Sequence, residues 1–108
     1  MSNTIGPWDP REFEKIDASG MGDTEVVAAV AGFRIRVISV LLLAESAVKV
    51  KFRSASTDIT GPMALDAKGG FSGDARDGLF ETEVGEALNI NLDTAIQVGG
   101  STSYALLR

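Results

Sequence analysis

Residues 48–53 alternate apolar and cationic side chains without interruption, in the order Val-Lys-Val-Lys-Phe-Arg. Successive side chains of a β-strand point to opposite faces, so this period of two predicts a strand with one buried face and one solvated face. Residues 87–92 repeat the alternation with asparagines at the solvated positions. The chain between these two segments is rich in Gly, Asp and Ser, which favour turns. The pattern predicts an all-β protein.

Further segments of the same character raise the expected number of strands to about eight. Their residues are β-branched, aliphatic or aromatic, and turn residues separate them, at 26–30, 33–43, 57–65, 71, 79–82 and 96–107. Gly32 is expected to make a tight turn between the first two of these strands, and the pair Glu45-Ser46 is expected to close a hairpin between the second strand and residues 48–53. The count and spacing favour an antiparallel β-sandwich that is jelly-roll-like.

The composition weakens most catalytic and metal-centred functions. The chain has 108 residues, enough for one domain, and it contains no cysteine and no histidine. Disulfides and thiolate chemistry are therefore excluded, and so are the commonest general base and the commonest zinc ligand. We predict no catalytic residues, no metal ligands and no cofactor. A histidine-ligated cupin, the enzymatic alternative for a jelly roll, is excluded on the same ground.

The amino-terminal part of the chain is predicted to be an extended arm, residues 1–22, in front of a β-sandwich domain, residues 23–108. Pro7, Pro10, Gly20 and Gly22 interrupt the arm. It nevertheless carries Trp8, Phe13 and Ile16, which are large apolar side chains for a tail. We expect these three residues to dock on the sandwich or on a neighbouring molecule. The first residues have neither the cationic start nor the apolar stretch of a signal peptide, which favours a protein kept in soluble form.

The second strand carries a predicted oligomer interface. After an alternating start, residues 38–43 are apolar on nearly both faces. A second apolar face must be covered, in a chain of this size by the arm, by an internal helix that the sequence does not show, or by another subunit. The residues predicted to form the interface are Ile38, Val40, Leu41, Leu42 and Leu43.

Charge is segregated along the chain. Residues 34–53 contain five bases and one acid, whereas the segments on either side are acidic and the formal net charge is −5. The bases are Arg34, Arg36, Lys49, Lys51 and Arg53, expected on the outer face of one hairpin. The acidic balance disfavours nucleic acid as a partner. The remaining possibilities are that these bases contact acidic segments of the same or a neighbouring subunit, or that they face solvent.

Two groups of carboxylates are candidate sites with simpler explanations. Residues 73–78 place two aspartates among glycines, which suits either a calcium-binding loop or a hydrogen-bonded turn. Glu81 and Glu83 are expected on one strand face, where they form either a catalytic carboxylate pair or a charged strand edge that prevents aberrant pairing. In both cases the simpler explanation is favoured, because the calcium loop lacks regularly spaced oxygen donors and a small sandwich has little room for a catalytic cleft.

Several segments, taken in order, resemble those of small bacteriophage and prophage structural proteins of the head-decoration type. The segments are residues 26–32, 35–37, 48–54, 59–62, 69–70, 80–82, 85–92 and 98–100. The resemblance covers about residues 24–107 and leaves the arm aside. It implies an antiparallel β-sandwich, trimeric, bound to the outside of a capsid or forming part of a fibre or spike. It implies no site residues.

The sequence therefore leads to one expected function and one alternative. We expect a non-enzymatic virion protein that decorates or stabilises a capsid as a homotrimer. It would be made in the host cytoplasm and contact the major capsid protein or another virion protein, with no nucleic acid or membrane as partner. The alternative is a fibre, spike, receptor-binding or carbohydrate-binding β-sandwich module.

Overall fold

A computed structural model describes residues 11–108, and over that range the chain forms ten β-strands and no helix. The strands are β1 (Glu12–Ala18), β2 (Gly22–Val27), β3 (Arg34–Ala44), β4 (Val48–Ser54), β5 (Thr57–Asp58), β6 (Met63–Leu65), β7 (Gly70–Asp74), β8 (Phe80–Glu81), β9 (Leu88–Leu92) and β10 (Val98–Leu107). All the pairings are antiparallel and the strands form two sheets. The predicted all-β antiparallel sandwich is confirmed.

Each sheet contains five strands but is four strands wide. Sheet A has the order β1-β10-β3-β7, with β8 also paired to β3, and sheet B has the order β2-β9-β4-β5, with β6 also paired to β4. Strands β7 and β8 pair with different stretches of β3, and β5 and β6 pair with different stretches of β4. One edge of each sheet is therefore a strand broken in two. This division explains why the structure has ten strands where the sequence predicted about eight.

The predicted hairpin at Glu45-Ser46 is wrong, and the strands on either side of Gly32 do not pair, because both connections cross between the sheets. Strand β3 lies in sheet A, whereas β2 and β4 lie in sheet B. Gly32, with φ of +83°, makes the turn between β2 and β3. Both β3 and β4 have an apolar face, and these faces meet across the core instead of lying side by side. The first strand lies beside the last in sheet A, and this order is compatible with the expected jelly roll.

The described part of the predicted arm belongs to the sandwich. Residues 12–18 form β1, which pairs with β10 along its whole length at the edge of sheet A. Ile16 and Ala18 point into the core and are 2% and 1% exposed. Phe13 lies on the outer face, and Trp8 lies outside the described residues. Turn residues lie on both sides of this segment, so the sequence did not indicate that it forms β1 and pairs with β10.

The core lies between the two sheets and is built from alternate residues of the long strands. Phe52 of β4 packs against Phe80 of β8, with ring centroids 5.1 Å apart. The fully buried apolar side chains are Phe52, Ile35, Leu42, Leu88, Ile90, Leu92, Val37, Val50 and Val98. Burying each large side chain of this kind stabilises the fold by about 1.5–3 kcal/mol. The core is therefore formed within one chain, without a contribution from another subunit.

A β-bulge in β3 explains its unusual apolar pattern. Tyr104 pairs with Val37 and Ser103 pairs with Ser39, so Ile38 is an extra residue on β3. The bulge lets Val37 and Val40 both face the core although they are three residues apart. From Val40 onwards the alternation is regular, with every second residue exposed. Residues 38–43 therefore contain both core residues and surface residues.

Candidate interaction surface

The outer face of sheet A carries two exposed leucines in the middle of the sheet. Leu41 is 48% exposed and Leu43 is 58% exposed, while Leu42 between them is fully buried. Both lie on β3, which has a paired strand on each side. We call this the leucine face and define it by six residues of three strands: Leu41 and Leu43 of β3, Gly99 and Ser101 of β10, and Gly70 and Ser72 of β7.

The neighbours of the leucines are small, so the two leucine side chains stand above the surface around them. Leu41 is aligned with Ser101 on one side and Ser72 on the other. Leu43 is aligned in the same way with Gly99 and Gly70. A contiguous apolar group of this kind, exposed on a well-ordered sheet, is typical of a surface that contacts another molecule.

Phe13 extends the leucine face toward the edge strand. It lies in one row with Ser103 and Ser39 and is 71% exposed, the same fraction as Met21. The Oγ atoms of Ser39 and Ser103 are 2.6 Å apart, so these two hydroxyls form a hydrogen bond with each other. The hydroxyl of Thr102 donates to the Ser39 carbonyl at 2.7 Å. These groups do not need a ligand to satisfy their hydrogen bonds.

A shallow open groove runs beside the leucines. It is lined by the small polar residues Ser39, Ser72, Asp74 and Ser101, with Leu41 as its main apolar wall. Hydroxyl and carboxylate groups of this kind can donate to or accept from a polar ligand. The groove is open to solvent along its length, so it does not offer the enclosed, water-excluding site that catalysis usually requires.

The outer face of sheet B differs, because its cations are paired within the subunit. Arg53 lies 3.1 Å from Asp23 and 3.0 Å from Asp58, and Lys51 lies 3.1 Å from Asp58. Asn91 donates to Asp23 at 2.8 Å. The hydrogen bond from Lys51 is the main cause that lowers the pKa of Asp58, although desolvation opposes it. These bases are therefore not free to hold an acidic partner.

The five bases predicted on one hairpin are divided between the two sheets. Lys49, Lys51 and Arg53 lie on β4 of sheet B, whereas Arg34 and Arg36 lie on β3 of sheet A. The backbone N–H of Lys49 donates to Asp93 at 2.8 Å, and this hydrogen bond is the main cause that lowers the pKa of that carboxyl. No continuous basic surface is formed by these five residues.

Glu81 joins two arginines of sheet A. Arg34 donates to its Oε2 at 2.6 Å, and Arg36 donates from Nε to its Oε1 at 2.8 Å. The hydrogen bond from Arg34 is the main cause that lowers the pKa of Glu81, and the one from Arg36 adds to it. Glu83 lies beyond the end of β8 and its backbone N–H donates to Ser54. The two glutamates therefore do not form the predicted pair on one strand face.

The aspartate-containing segment 73–78 is divided between β7 and a turn. Asp74 is the last residue of β7, and the N–H of Gly78 donates to the Ala75 carbonyl at 2.9 Å to close the turn. Within residues 11–108, no group of three or more His, Cys, Asp or Glu side chains is placed to hold a metal ion. The same part of the chain contains no helix long and apolar enough to cross a membrane.

Of the five residues predicted as an oligomer interface, Leu41 and Leu43 are accessible and the other three are not. Val40 and Leu42 belong to the core between the sheets, and Ile38 is 5% exposed at the bulge. Their part of the prediction is corrected, because a side chain buried within its own chain cannot contact a neighbour. Ile16 of the predicted docking residues is buried in the core of its own sandwich, which is one of the two expected docking places, so it does not contact a neighbour.

Sequence reasoning missed the position of Phe13 on the same face as the two leucines. It also missed the groove, whose walls come from three strands. A signal was present in residues 99–103 and 70–73, where Gly and Ser dominate strands that otherwise carry large side chains. Small residues beside exposed leucines would have indicated a surface shaped for close approach.

No family model matches the chain, and the searches of curated proteins and of solved structures found no match either.

Proposed function

We propose that this protein is a non-enzymatic virion structural protein of the phage type, which decorates or stabilises a capsid as a homotrimer. The proposal rests on one observation, the uncovered leucine face at the centre of a sheet whose other face is fully used by the core. A symmetric assembly buries such a face between copies of the same chain. Leu41 and Leu43 lie at the contact between subunits, and Phe13 lies at its margin.

Two further features support this proposal. The resemblance of residues 24–107 to head-decoration proteins points to a trimeric β-sandwich on the outside of a particle. The strand order is compatible with a jelly roll, a fold used in viral capsid proteins. The charged side chains on the outer face of sheet B pair with one another and need no partner. We expect this face to contact solvent or to make weak contacts with the capsid.

The first test is the mass of the purified protein in solution, measured by light scattering at two concentrations. We expect three times the 11.3 kDa of the chain. The double variant Leu41→Ser/Leu43→Ser should reduce the mass to that of one chain, with an unchanged circular dichroism spectrum. Val84→Ser is the matched control, because Val84 is 46% exposed but lies outside the leucine face. A double variant that remains trimeric would contradict the assignment of the interface.

The role on a particle needs a second test. Capsids assembled from the major capsid protein of the same genome would be mixed with the purified protein and sedimented. We expect the wild-type protein and Val84→Ser to sediment with the particles and to raise their resistance to heat. Wild-type protein that stays in the supernatant at every concentration would contradict the role of capsid decoration.

The alternative function is a fibre, spike, receptor-binding or carbohydrate-binding module, and the groove beside Leu41 is the observation in its favour. Its hydroxyls and the carboxylate of Asp74 are groups that bind sugar hydroxyls. Against it, the leucine face carries no aromatic residue among its six members, and sugars usually stack on aromatic rings. A glycan array distinguishes the two functions. A decoration protein should bind no glycan, and the Asp74→Asn variant should give the same result on the array.

A further inference from the structure

The two exposed leucines lie closer to one edge of sheet A than to the other. The strand order is β1-β10-β3-β7, so Leu41 and Leu43 on β3 are one strand from the β7 edge and two strands from the β1 edge. The β1 edge carries Phe13, which is 71% exposed on the same face. The outer face of sheet A therefore has an aromatic ring at one edge and aliphatic side chains near the other.

The same two edges carry opposite charges. Lys15 lies on β1 and Asp74 is the last residue of β7, and both are exposed on the outer face. None of the ion pairs within residues 11–108 includes either of them. Within one chain they are separated by three strand spacings, roughly 14 Å. The opposite charge that each group lacks nearby is therefore present at the other edge of every further copy.

The rows of paired residues show which side chains meet when one copy follows another around an axis. Such a rotation brings the β1 edge of one copy to the β7 edge of the next, and an axis along the strands leaves every row at its own height. Phe13 shares a row with Asp74, and Lys15 shares the next row with Leu41 and Ser72. Lys15 of one copy and Asp74 of the next are then diagonal neighbours, which a long side chain can bridge. Phe13 and Leu41 face each other along the other diagonal.

Given the homotrimer of the proposed function, on which this inference rests, we propose that the copies meet head to tail, with the β1 edge of each copy against the β7 edge of the next. Phe13 packs on Leu41 of the next copy, and Lys15 forms an ion pair with Asp74 of that copy. The contact joins two different surfaces, so it closes into a ring of three when the rotation between copies is one third of a turn. One apolar match and one charged match together fix which edges meet. Phe13 and Leu41 partly cover the ion pair, so salt screens it less than the long-range repulsion between subunits.

Charge reversal at exposed positions tests the contact without touching the core. Lys15→Glu places two acids at each contact, and Asp74→Lys places two bases there. We expect each variant to weaken every contact about fivefold, the effect of an exposed ion pair. With three contacts in the ring, the association constant falls about 100-fold, so the concentration at half dissociation rises about tenfold. Sedimentation equilibrium measures this concentration, and circular dichroism checks that each variant is folded.

The two reversals separate a specific contact from the effect of net charge. Lys15→Glu makes each subunit more acidic and Asp74→Lys makes it less acidic, so general repulsion alone would weaken the first trimer and strengthen the second. The double variant Lys15→Glu/Asp74→Lys restores opposite charges at every contact. We expect its half-dissociation concentration to return to within about twofold of the wild type. The control is Lys49→Glu, at an exposed position of sheet B, which shows the effect of added acidity alone.

Disulfide trapping tests the position of the edges and does not depend on charge. The chain contains no cysteine, and Lys15 and Ser72 lie in one row on opposite edge strands, roughly 14 Å apart. This exceeds the Cα separation of about 7 Å that a disulfide allows, so any disulfide in Lys15→Cys/Ser72→Cys joins two chains. Under mild oxidation we expect covalent trimers as the largest species on a non-reducing gel. Lys15→Cys/Lys49→Cys reports cross-linking by random collision, which we expect to be at least tenfold weaker.

The outcomes separate this inference from the homotrimer itself, because light scattering gives the mass of the wild-type protein independently. A mass of three chains that both charge reversals leave unchanged, with no cross-link above the control, would overturn the head-to-tail contact and leave the homotrimer standing. A trimer strengthened by Asp74→Lys would also overturn the contact. A wild-type mass of one chain would contradict both proposals.

Discussion

At the scale of single residues, two glycines set how closely the strands of sheet A approach β3. A Cβ atom at Gly100 would lie 1.8 Å from the backbone oxygen of Leu41, and one at Gly70 would lie 1.8 Å from that of Leu42. Neither backbone atom can move aside without separating the strands. The two glycines therefore allow β10 and β7 to pair closely with β3 on its two sides. Leu41 and Leu43 project from β3, between these two strands.

The substitution Gly100→Ala should be severely destabilising, because its methyl group overlaps the backbone of β3. We expect a loss of at least about 3 kcal/mol in the free energy of unfolding, the upper end for overpacking. Gly73→Ala is the control, since a Cβ at Gly73 meets nothing within 4 Å. It should change the free energy by no more than about 0.5 kcal/mol. Urea denaturation of both variants measures the difference, and equal midpoints would contradict the predicted overlap.

At the scale of strands, most positions were predictable from the sequence and the pairing was not. The period of two is a local property, so β4 and β9 could be recognised from residues 48–53 and 87–92 alone. Pairing depends on which apolar faces meet, and nothing local shows that the chain crosses between sheets after β2 and after β3. The strand β1 was missed for the same reason, because its partner β10 is at the other end of the chain.

The candidate surface was predictable only in part. Leu41 and Leu43 were among the five predicted interface residues, but residues 38–43 are apolar on both faces, so the sequence could not separate inner from outer positions. The bulge at Ile38 shifts the alternation by one residue, and its position depends on the pairing with β10. The groove could not be predicted, because three strands that are distant in sequence build it.

Deleting residues 1–10 and deleting residues 1–18 should have different effects on the fold. The shorter deletion leaves β1 intact, so we expect a melting temperature within a few degrees of the wild type. The longer deletion removes Ile16 and Ala18 from the core and leaves β10 without its edge partner. We expect it to yield unfolded or aggregated protein. Thermal melting followed by circular dichroism compares the two, and a folded 1–18 deletion would show that β1 is dispensable.

Strand β8 is only two residues long, and the ion pairs of Glu81 with Arg34 and Arg36 add to the backbone hydrogen bonds that attach it to β3. The arginines lower the pKa of Glu81 below its ordinary value of 4.5, so the unfolded chain takes up a proton before the folded one does. The stabilisation is complete above about pH 4.5 and is lost as the pH falls through the pKa of the folded state. We expect Glu81→Gln to be less stable than the wild type by up to about 1 kcal/mol at neutral pH, the upper range for an exposed ion pair.

The difference in stability between the wild type and Glu81→Gln should become smaller at acidic pH. Urea midpoints of wild type and Glu81→Gln would be compared at neutral pH and at the lowest pH at which the protein stays folded. Glu83→Gln serves as the control, because Glu83 lies exposed beyond the end of β8, and it should show no such trend. A constant difference across the pH range would mean that the ion pairs with Arg34 and Arg36 do not stabilise the fold.

At the scale of the whole molecule, the two outer faces differ in the forces that they can exert on a partner. The leucine face of sheet A presents uncharged leucines, glycines and serines, whereas sheet B presents a network of ion pairs that is satisfied internally. Each copy has a formal net charge of −5, so copies repel one another at long range. Assembly through sheet A therefore depends on apolar burial that works against this repulsion.

The proposed trimer should become tighter as salt is added. Raising the salt from about 0.05 M to about 0.5 M shortens the screening length severalfold and weakens the repulsion between the acidic subunits. Burial of the leucine face is not weakened by NaCl in this range. Sedimentation equilibrium at the two concentrations measures the effect. A trimer that dissociates at high salt would instead indicate contacts made by the ion pairs of sheet B.

The place of β10 in sheet A has a consequence for synthesis on the ribosome. This strand is the last to be translated, yet it lies in the middle of its sheet, between β1 and β3. Until it emerges from the exit tunnel, β1 has no neighbour to pair with and one side of β3 is bare. The nascent chain must therefore wait for β10 before sheet A can close, and a premature stop before this strand would leave a product for proteolysis, not a shortened working protein.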